Sequence, residues 1–273
     1  MPAFDSVQLV SAIVAERANG NNAAYFAGLE HEWRTRVQQY LDASGVPPTV
    51  TRWPAIEPRK TSFLNLYLKP AEGSVQGAIL QSLRAHDLVL CPACGEQGRP
   101  QTLDHYLPKD TYPHFCVTPV NLFPMCDACQ RAKGTKVGGV GVPRYFIHPY
   151  YDVFAGEQIL SLVISPPFEA PTFDFGVAPG LAPMETDLAQ THLRELCLAE
   201  RYAVFFRNQY RRLLRLVNRM RTSNQNVGES LANFSFDAAN QSVNSWEHVF
   251  YESVLINPDL MDYLCNAQLP PLL

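Results

Sequence analysis

Residues 91–136 read CPACGEQGRPQTLDHYLPKDTYPHFCVTPVNLFPMCDACQRAKGTK. Two C-x-x-C pairs, Cys91/Cys94 and Cys126/Cys129, enclose an Asp104-His105 dipeptide, and Asn121 stands shortly before the second pair. Zinc takes four soft or borderline ligands in a tetrahedron, and a C-x-x-C turn can present two sulfurs to one ion. Two such turns complete the shell and leave no open position. The expected zinc is therefore structural, with Cys91, Cys94, Cys126 and Cys129 as its ligands. The interval between the pairs is longer than in an ordinary zinc ribbon, so something folded must fill it. The metal then staples the ends of a small unit whose own core is thin. Inside that interval Asp104 is a carboxylate suited to a hard cation, and His105 is an imidazole able to activate water. The combination points to phosphodiester hydrolysis of nucleic acid.

Composition sets the outer limits. A chain of 273 residues can bury a core without staples, as one or two domains. No apolar run approaches the roughly 20 residues that cross a bilayer. The start, MPAFDSVQLVSAIVAERANG, has no basic n-region, which argues against a signal peptide and for a cytoplasmic protein with no membrane partner. Seven cysteines are an odd count, and four of them sit in knuckles, so a disulfide framework is not expected. Cys116, Cys197 and Cys265 are expected as buried free thiols. The formal net charge of −4 does not advertise nucleic-acid binding, so the distribution of charge matters more than its sum.

Helical periodicity marks segments near 6–18, 22–44 and 72–86. Gly45, followed by Pro47-Pro48, is a stop for the second. The proline-interrupted TVTRWPAIEPRK reads as an ordered loop, and FLNLYL at 63–68 as a short helix or a strand. Gly134 to Val142 reads as a flexible connector, lacking the spacing of a phosphate-cradling loop. QILSLVIS and PTFDFGV, within 158–177, read as two strands joined by a wide proline-rich loop. One long helix is expected over 186–221, capped by Thr186-Asp187, with further helices near 236–254 and 257–265. The expected organisation is a helical segment 1–88, a cysteine-bracketed module 89–152, and a segment 153–273 with a β-hairpin and an arginine-rich helix.

The run Leu103-Asp104-His105-Tyr106-Leu107-Pro108-Lys109, then Asn121-Leu122-x-Pro-x-Cys126, then Cys129-Gln130-x-x-Lys133-Gly134, resembles the HNH endonucleases, specifically members with two zinc knuckles around a ββα-metal finger. The resemblance covers residues 91–136, and FIHPYYD at 146–152 continues it loosely. It implies a zinc-stabilised ββα-metal finger; with the helical patterns on either side, the expected fold is α+β, mainly helical, the finger embedded between helical N- and C-terminal segments. It also implies roles. His105 is the general base, Asp104 binds a catalytic Mg²⁺ or Mn²⁺, and Asn121 bridges loop backbone groups and orients His105. Where the family has Asn or His as a further metal ligand, this chain has Gln130, chemically adequate but one methylene longer. His114 and His148 are substitute ligands by residue type.

Phosphate contacts are expected from Lys109, Arg131, Lys133 and Lys136 beside the finger. Residues 194–221 hold eight arginines. Arg207, Arg211, Arg215 and Arg219 recur every four residues as one stripe, either a phosphate-tracking face or a solvated or partner-facing one. The resulting expectation is a metal-dependent endonuclease acting on nucleic acid, DNA before RNA. Family analogy adds an anti-phage defence system or a mobile element, sometimes with an ATPase partner. The competing readings are an inactive zinc module that binds nucleic acid or scaffolds a complex, and a toxin nuclease restrained by a cognate protein.

Overall fold

The computed structural model describes residues 4–47, 49–138 and 141–271. Met1 to Ala3 of the quoted N-terminus, Pro48 of the expected helix stop, and Gly139 and Val140 of the expected connector lie outside the described residues. The described residues are mainly helical, with two small antiparallel sheets among them. The chain's contacts divide it into two compact units, Met1–Leu88 with Arg99–Asp152, and Val89–Gly98 with Val153–Leu273.

The first unit begins with α1 (Ser6–Glu16) and α2 (Ala23–Asp42), followed by α3 (Lys60–Leu68) and α4 (Val75–Arg84). Asp5 starts α1 by accepting the amides of Val7 and Gln8 at 2.9 Å each, and Ser74 caps α4 through the amide of Gly77. The ambiguous 63–68 stretch is helical because it continues from a 3₁₀ turn at Pro54–Arg59, inside what reads as a loop in the sequence. Phe26, Trp33 and Phe63 form an aromatic core, with Trp33 and Phe63 centroids 4.8 Å apart, edge to face.

Two short strands, β1 (Thr102–His105) and β2 (Leu122–Met125), pair antiparallel and lead into α5 (Asp127–Lys133). Asp104 lies opposite Phe123 and His105 opposite Leu122. The N-terminal helices hold this β-β-α arrangement through polar anchors. Tyr67 Oη on α3 donates to the Leu103 carbonyl at 2.8 Å, and Trp33 Nε1 on α2 donates to the His114 carbonyl at 2.7 Å.

The second unit contains the hairpin β3 (Leu160–Ser165) and β4 (Thr172–Val177), where two strands are expected. Around it lie α6 (Pro183–Glu195), α7 (Leu198–Thr222), α8 (Val227–Gln241), α9 (Trp246–Leu255) and α10 (Pro258–Asn266). Phe175 of β4 stacks on Tyr202 of α7 with centroids 3.8 Å apart. Tyr202, Phe206, Leu213, Leu214 and Val217 form the buried stripe of α7.

Two helical expectations need correction. The single helix over 186–221 is two helices, broken at Leu196–Cys197, where Cys197 adopts φ 53. Thr186 lies inside α6, whose entry is instead fixed by Glu185 accepting the amide of Ala182 at 3.0 Å. The helix near 236–254 is likewise split between α8 and α9. Asn226 caps α8, and Ser245 caps α9. Cap chemistry sets these ends where apolar periodicity runs through both helices. Among the three spare cysteines, Cys116 is buried as expected, but Cys197 is exposed and Cys265 half-buried.

Candidate functional site

The sulfurs of Cys91, Cys94, Cys126 and Cys129 all lie within 4.8 Å of one another. A tetrahedral Zn–S shell of about 2.3 Å has sulfurs about 3.8 Å apart, so four thiolates at this spacing can close around one zinc with small side-chain shifts. Each knuckle has its own backbone reason. At the first, the amides of Cys94 and Gly95 both donate to the Cys91 carbonyl, at 3.2 and 2.8 Å. Gly95 has φ +73, and a Cβ there would sit 2.0 Å from the Asn244 carbonyl oxygen, so only glycine fits. At the second, Cys126 is the N-cap of α5 and Cys129 lies in its first turn. The positive end of a helix favours thiolate there.

Within the second unit, side chains of α6, α7 and α9 hold the first knuckle by its carbonyls. Tyr202 Oη and Trp246 Nε1 both donate to the Cys94 carbonyl, at 2.8 and 2.5 Å, and His192 Nε2 donates to the Ala93 carbonyl at 2.6 Å. Arg201 reaches Cys94 Sγ at 3.6 Å and pairs with Glu96. A four-thiolate zinc would carry net negative charge, which this guanidinium would offset. Nothing in the sequence flags these four residues, because they come from helices far along the chain and carry no motif.

In the β-β-α arrangement, Asp104 and His105 end β1, both under 10% exposed. His105 Nε2 lies 3.0 Å from the Cys116 carbonyl. A carbonyl only accepts, so Nε2 carries the hydrogen and Nδ1 keeps its lone pair. Tyr67 packs edge-on against the imidazole with centroids 4.5 Å apart. Burial pushes the His105 pKa down to about 3, the Cys116 hydrogen bond opposing and Lys109, Lys133 and Arg84 assisting. The ring is therefore neutral, the proton-accepting form, at cellular pH.

Asp104 Oδ1 accepts from Gln130 Nε2 at 3.3 Å. Oδ2 lies 3.0 Å from Lys133 Nζ, an ion pair by distance, yet Oδ2 is buried without an aligned hydrogen bond among the described residues. Lys133 also donates to the His105 carbonyl at 2.6 Å. Lys133 is expected among the phosphate contacts, but the structure leaves its side chain 1% exposed and turned onto Asp104. The register explains the inversion: Lys133 falls in the last turn of α5, on the face packed against β1.

Asn121 is fully buried. Its Oδ1 accepts the Leu107 amide at 2.8 Å, and its Nδ2 donates to the Leu107 and Phe115 carbonyls at 3.2 and 3.1 Å. It thereby clasps both ends of the loop that carries the Cys116 carbonyl behind His105. His148 has both nitrogens engaged, Nδ1 by the Tyr150 amide at 3.2 Å and Nε2 by Tyr40 Oη at 3.1 Å. Among the described residues neither ring nitrogen of His114 has a hydrogen-bond partner, and the ring lies against Phe115 and Trp53. Arg144 makes a bidentate pair with Asp152 at 2.6 and 2.8 Å.

The remaining basic candidates are outward. Lys109 is half-buried near Asp110, and Arg131 and Lys136 are exposed. On α7, Arg207, Arg211, Arg215 and Arg219 are exposed, with no ion pair among the described residues.

No family model matches the chain, and no solved structure matches it. It is similar to Protein ea31 of Escherichia phage lambda, 41% identical over 70 residues, which is 25% of this chain and 24% of that protein. It is also similar to Septu protein PtuB of Bacillus thuringiensis, 45% identical over 40 residues, 15% of this chain and 16% of that one. The matched stretches span about a quarter or less of either relative. Within the chain, no helix among the described residues is long and apolar enough to cross a membrane.

Proposed function

We propose that this protein is a metal-dependent HNH-type endonuclease that hydrolyses phosphodiester bonds of nucleic acid, DNA before RNA, within an anti-phage defence system. One observation carries the reading. Asp104 and His105 end the first strand of a β-β-α arrangement, and a backbone carbonyl holds His105 so that Nδ1 is left to accept a proton. The four-cysteine cluster supports a structural zinc. Similarity to Septu protein PtuB supports the defence setting, and with it a protein partner such as an ATPase of the same system. In this reading 89–152 is the nuclease module, 1–88 its helical support, and 153–273 the hairpin and arginine-rich segment.

His105 Nδ1 takes the proton of the attacking water. A base buried this deeply is weak, and an arriving phosphodiester anion strengthens it by favouring the imidazolium. Asn121 keeps the Cys116 carbonyl behind Nε2, which fixes the tautomer. Asp104 and Gln130 are the residues to hold Mg²⁺ or Mn²⁺. Their side chains lie 3.3 Å apart, and turning the Gln130 amide over would present its oxygen beside the carboxylate, so the pair would offer two oxygen donors to a hard cation. A bound divalent ion supplies charge stabilisation to the phosphoryl and leaving 3′ oxygens. Arg131, Lys136 and the α7 stripe contribute phosphate contacts.

An inert zinc module is the second reading, favoured by the ammonium of Lys133 on Asp104. A nicking assay with Mg²⁺, Mn²⁺ and EDTA, on the chain alone and with its genomic neighbours, separates the two. His105→Ala should lose about 10²–10⁴-fold in rate while keeping its zinc. Gln130→Asn should keep or raise activity and lower the Mg²⁺ requirement. Cleavage by His105→Ala at the wild-type rate would reject the mechanism.

A further inference from the structure

Among the described residues Lys133 is the one buried lysine. A buried ammonium is costly unless paired and hydrogen-bonded. Lys133 is both: Nζ lies 3.0 Å from Asp104 Oδ2 and 2.6 Å from the His105 carbonyl oxygen. The face of Phe146, 5.8 Å from Nζ, adds a further weak contact. One side chain on α5 thus holds two consecutive residues of β1. It also places an ammonium beside the carboxylate to which the proposed function assigns the catalytic metal. Asp104 then has one oxygen facing an ammonium and the other facing the Gln130 amide. An incoming cation meets a neutralised carboxylate and a like charge close by, both of which weaken its binding.

We infer that Lys133 is the resident counter-ion of Asp104 and keeps the affinity of that site for a divalent cation low. The inference rests on the reading of Asp104 as a metal ligand. Lys133 is accordingly a positioning residue and a regulator of metal loading, and touches neither substrate nor solvent.

The test is Mn²⁺ binding, read from the loss of the free-ion electron paramagnetic resonance signal on the zinc-loaded full chain. Lys133→Met should bind Mn²⁺ at least roughly tenfold more tightly than wild type. Lys133→Arg, which keeps the charge, should stay weak, and Asp104→Asn added to Lys133→Met should erase the gain. Lys133→Gln keeps a donor for the His105 carbonyl and replaces the Met variant if that one loses its zinc or its cooperative melt. Asp104-dependent binding that is no tighter in the neutral variants would overturn the inference and leave the metal assignment standing. Binding indifferent to Asp104→Asn in wild type and neutral variants alike would remove the metal assignment, and the inference with it.

Discussion

The phenol of Tyr40, on α2, lies 3.1 Å from Oδ1 of Asn121 and 3.1 Å from Nε2 of His148. Because His148 Nδ1 accepts the Tyr150 amide, Nε2 carries the hydrogen and donates to Tyr40, which donates in turn to Asn121. A helix of the N-terminal segment and the FIHPYYD segment thus meet on the asparagine that clasps the loop behind His105. Burial raises the Tyr40 pKa well above its usual range, so the phenol stays protonated and able to donate.

Tyr40→Phe removes the middle of that chain and leaves the buried His148 Nε2 and Asn121 Oδ1 each short of a partner. A loss of about 1–3 kcal/mol in unfolding free energy is expected, measured by urea denaturation. If the proposed nuclease function holds, nicking should slow as well, since the loop behind His105 loosens. A variant as stable as wild type would show that the phenol merely fills space.

Removal of zinc should unfold more than the knuckles. The Cys94 carbonyl receives Tyr202 and Trp246, so disordering that turn strips partners from α7 and α9. About one zinc per chain is expected, and Cys94→Ala should lose it and lower the melting temperature. Trp246→Phe should keep the zinc but cost about 1 kcal/mol for the lost hydrogen bond. Elemental analysis and calorimetry on both variants decide this, and zinc-free protein that remains folded would count against the structural role.

Acid should destabilise the fold through His114. Burial lowers its pKa to about 3, with Arg36 assisting, against an ordinary value of 6.5. The unfolded chain therefore binds the proton first. The stability is complete above about pH 6.5 and is lost as pH falls from there towards 3. Between pH 7 and pH 5 this one group should account for about 2 kcal/mol. His114→Phe should flatten the pH dependence by that amount in matched urea titrations. Metal release from the cysteines is common to both proteins and cancels in the difference.

The α7 arginines carry a prediction independent of Asp104 and His105. If Arg207, Arg211, Arg215 and Arg219 follow phosphates, affinity should fall steeply with salt. Arg211→Gln with Arg215→Gln should flatten the log–log salt slope by up to about two units and leave zinc content and the saturated rate unchanged. An unaltered slope would make the stripe a solvated or protein-facing surface, and loss of a genomic neighbour in a pull-down would select the second.

The chain itself determined what local chemistry can determine. The C-x-x-C spacing called for a four-sulfur centre, and the four sulfurs converge. Alternating and helical patterns marked the hairpin and most helices, because period and breaker residues act over a few positions. Tertiary structure decided what depends on distant partners. Lys133 reads as one of several basic residues near the finger, and only the packing of α5 on β1 makes it a buried counter-ion. The break at Cys197 lies inside an unbroken amphipathic pattern, so it could not be read from periodicity. Tyr40, Tyr202 and Trp246 carry no motif, yet they hold the loop behind His105 and the first knuckle. A hydrogen bond between residues about 80 to 150 positions apart leaves no trace in local spacing, because its geometry exists only after the intervening chain has packed.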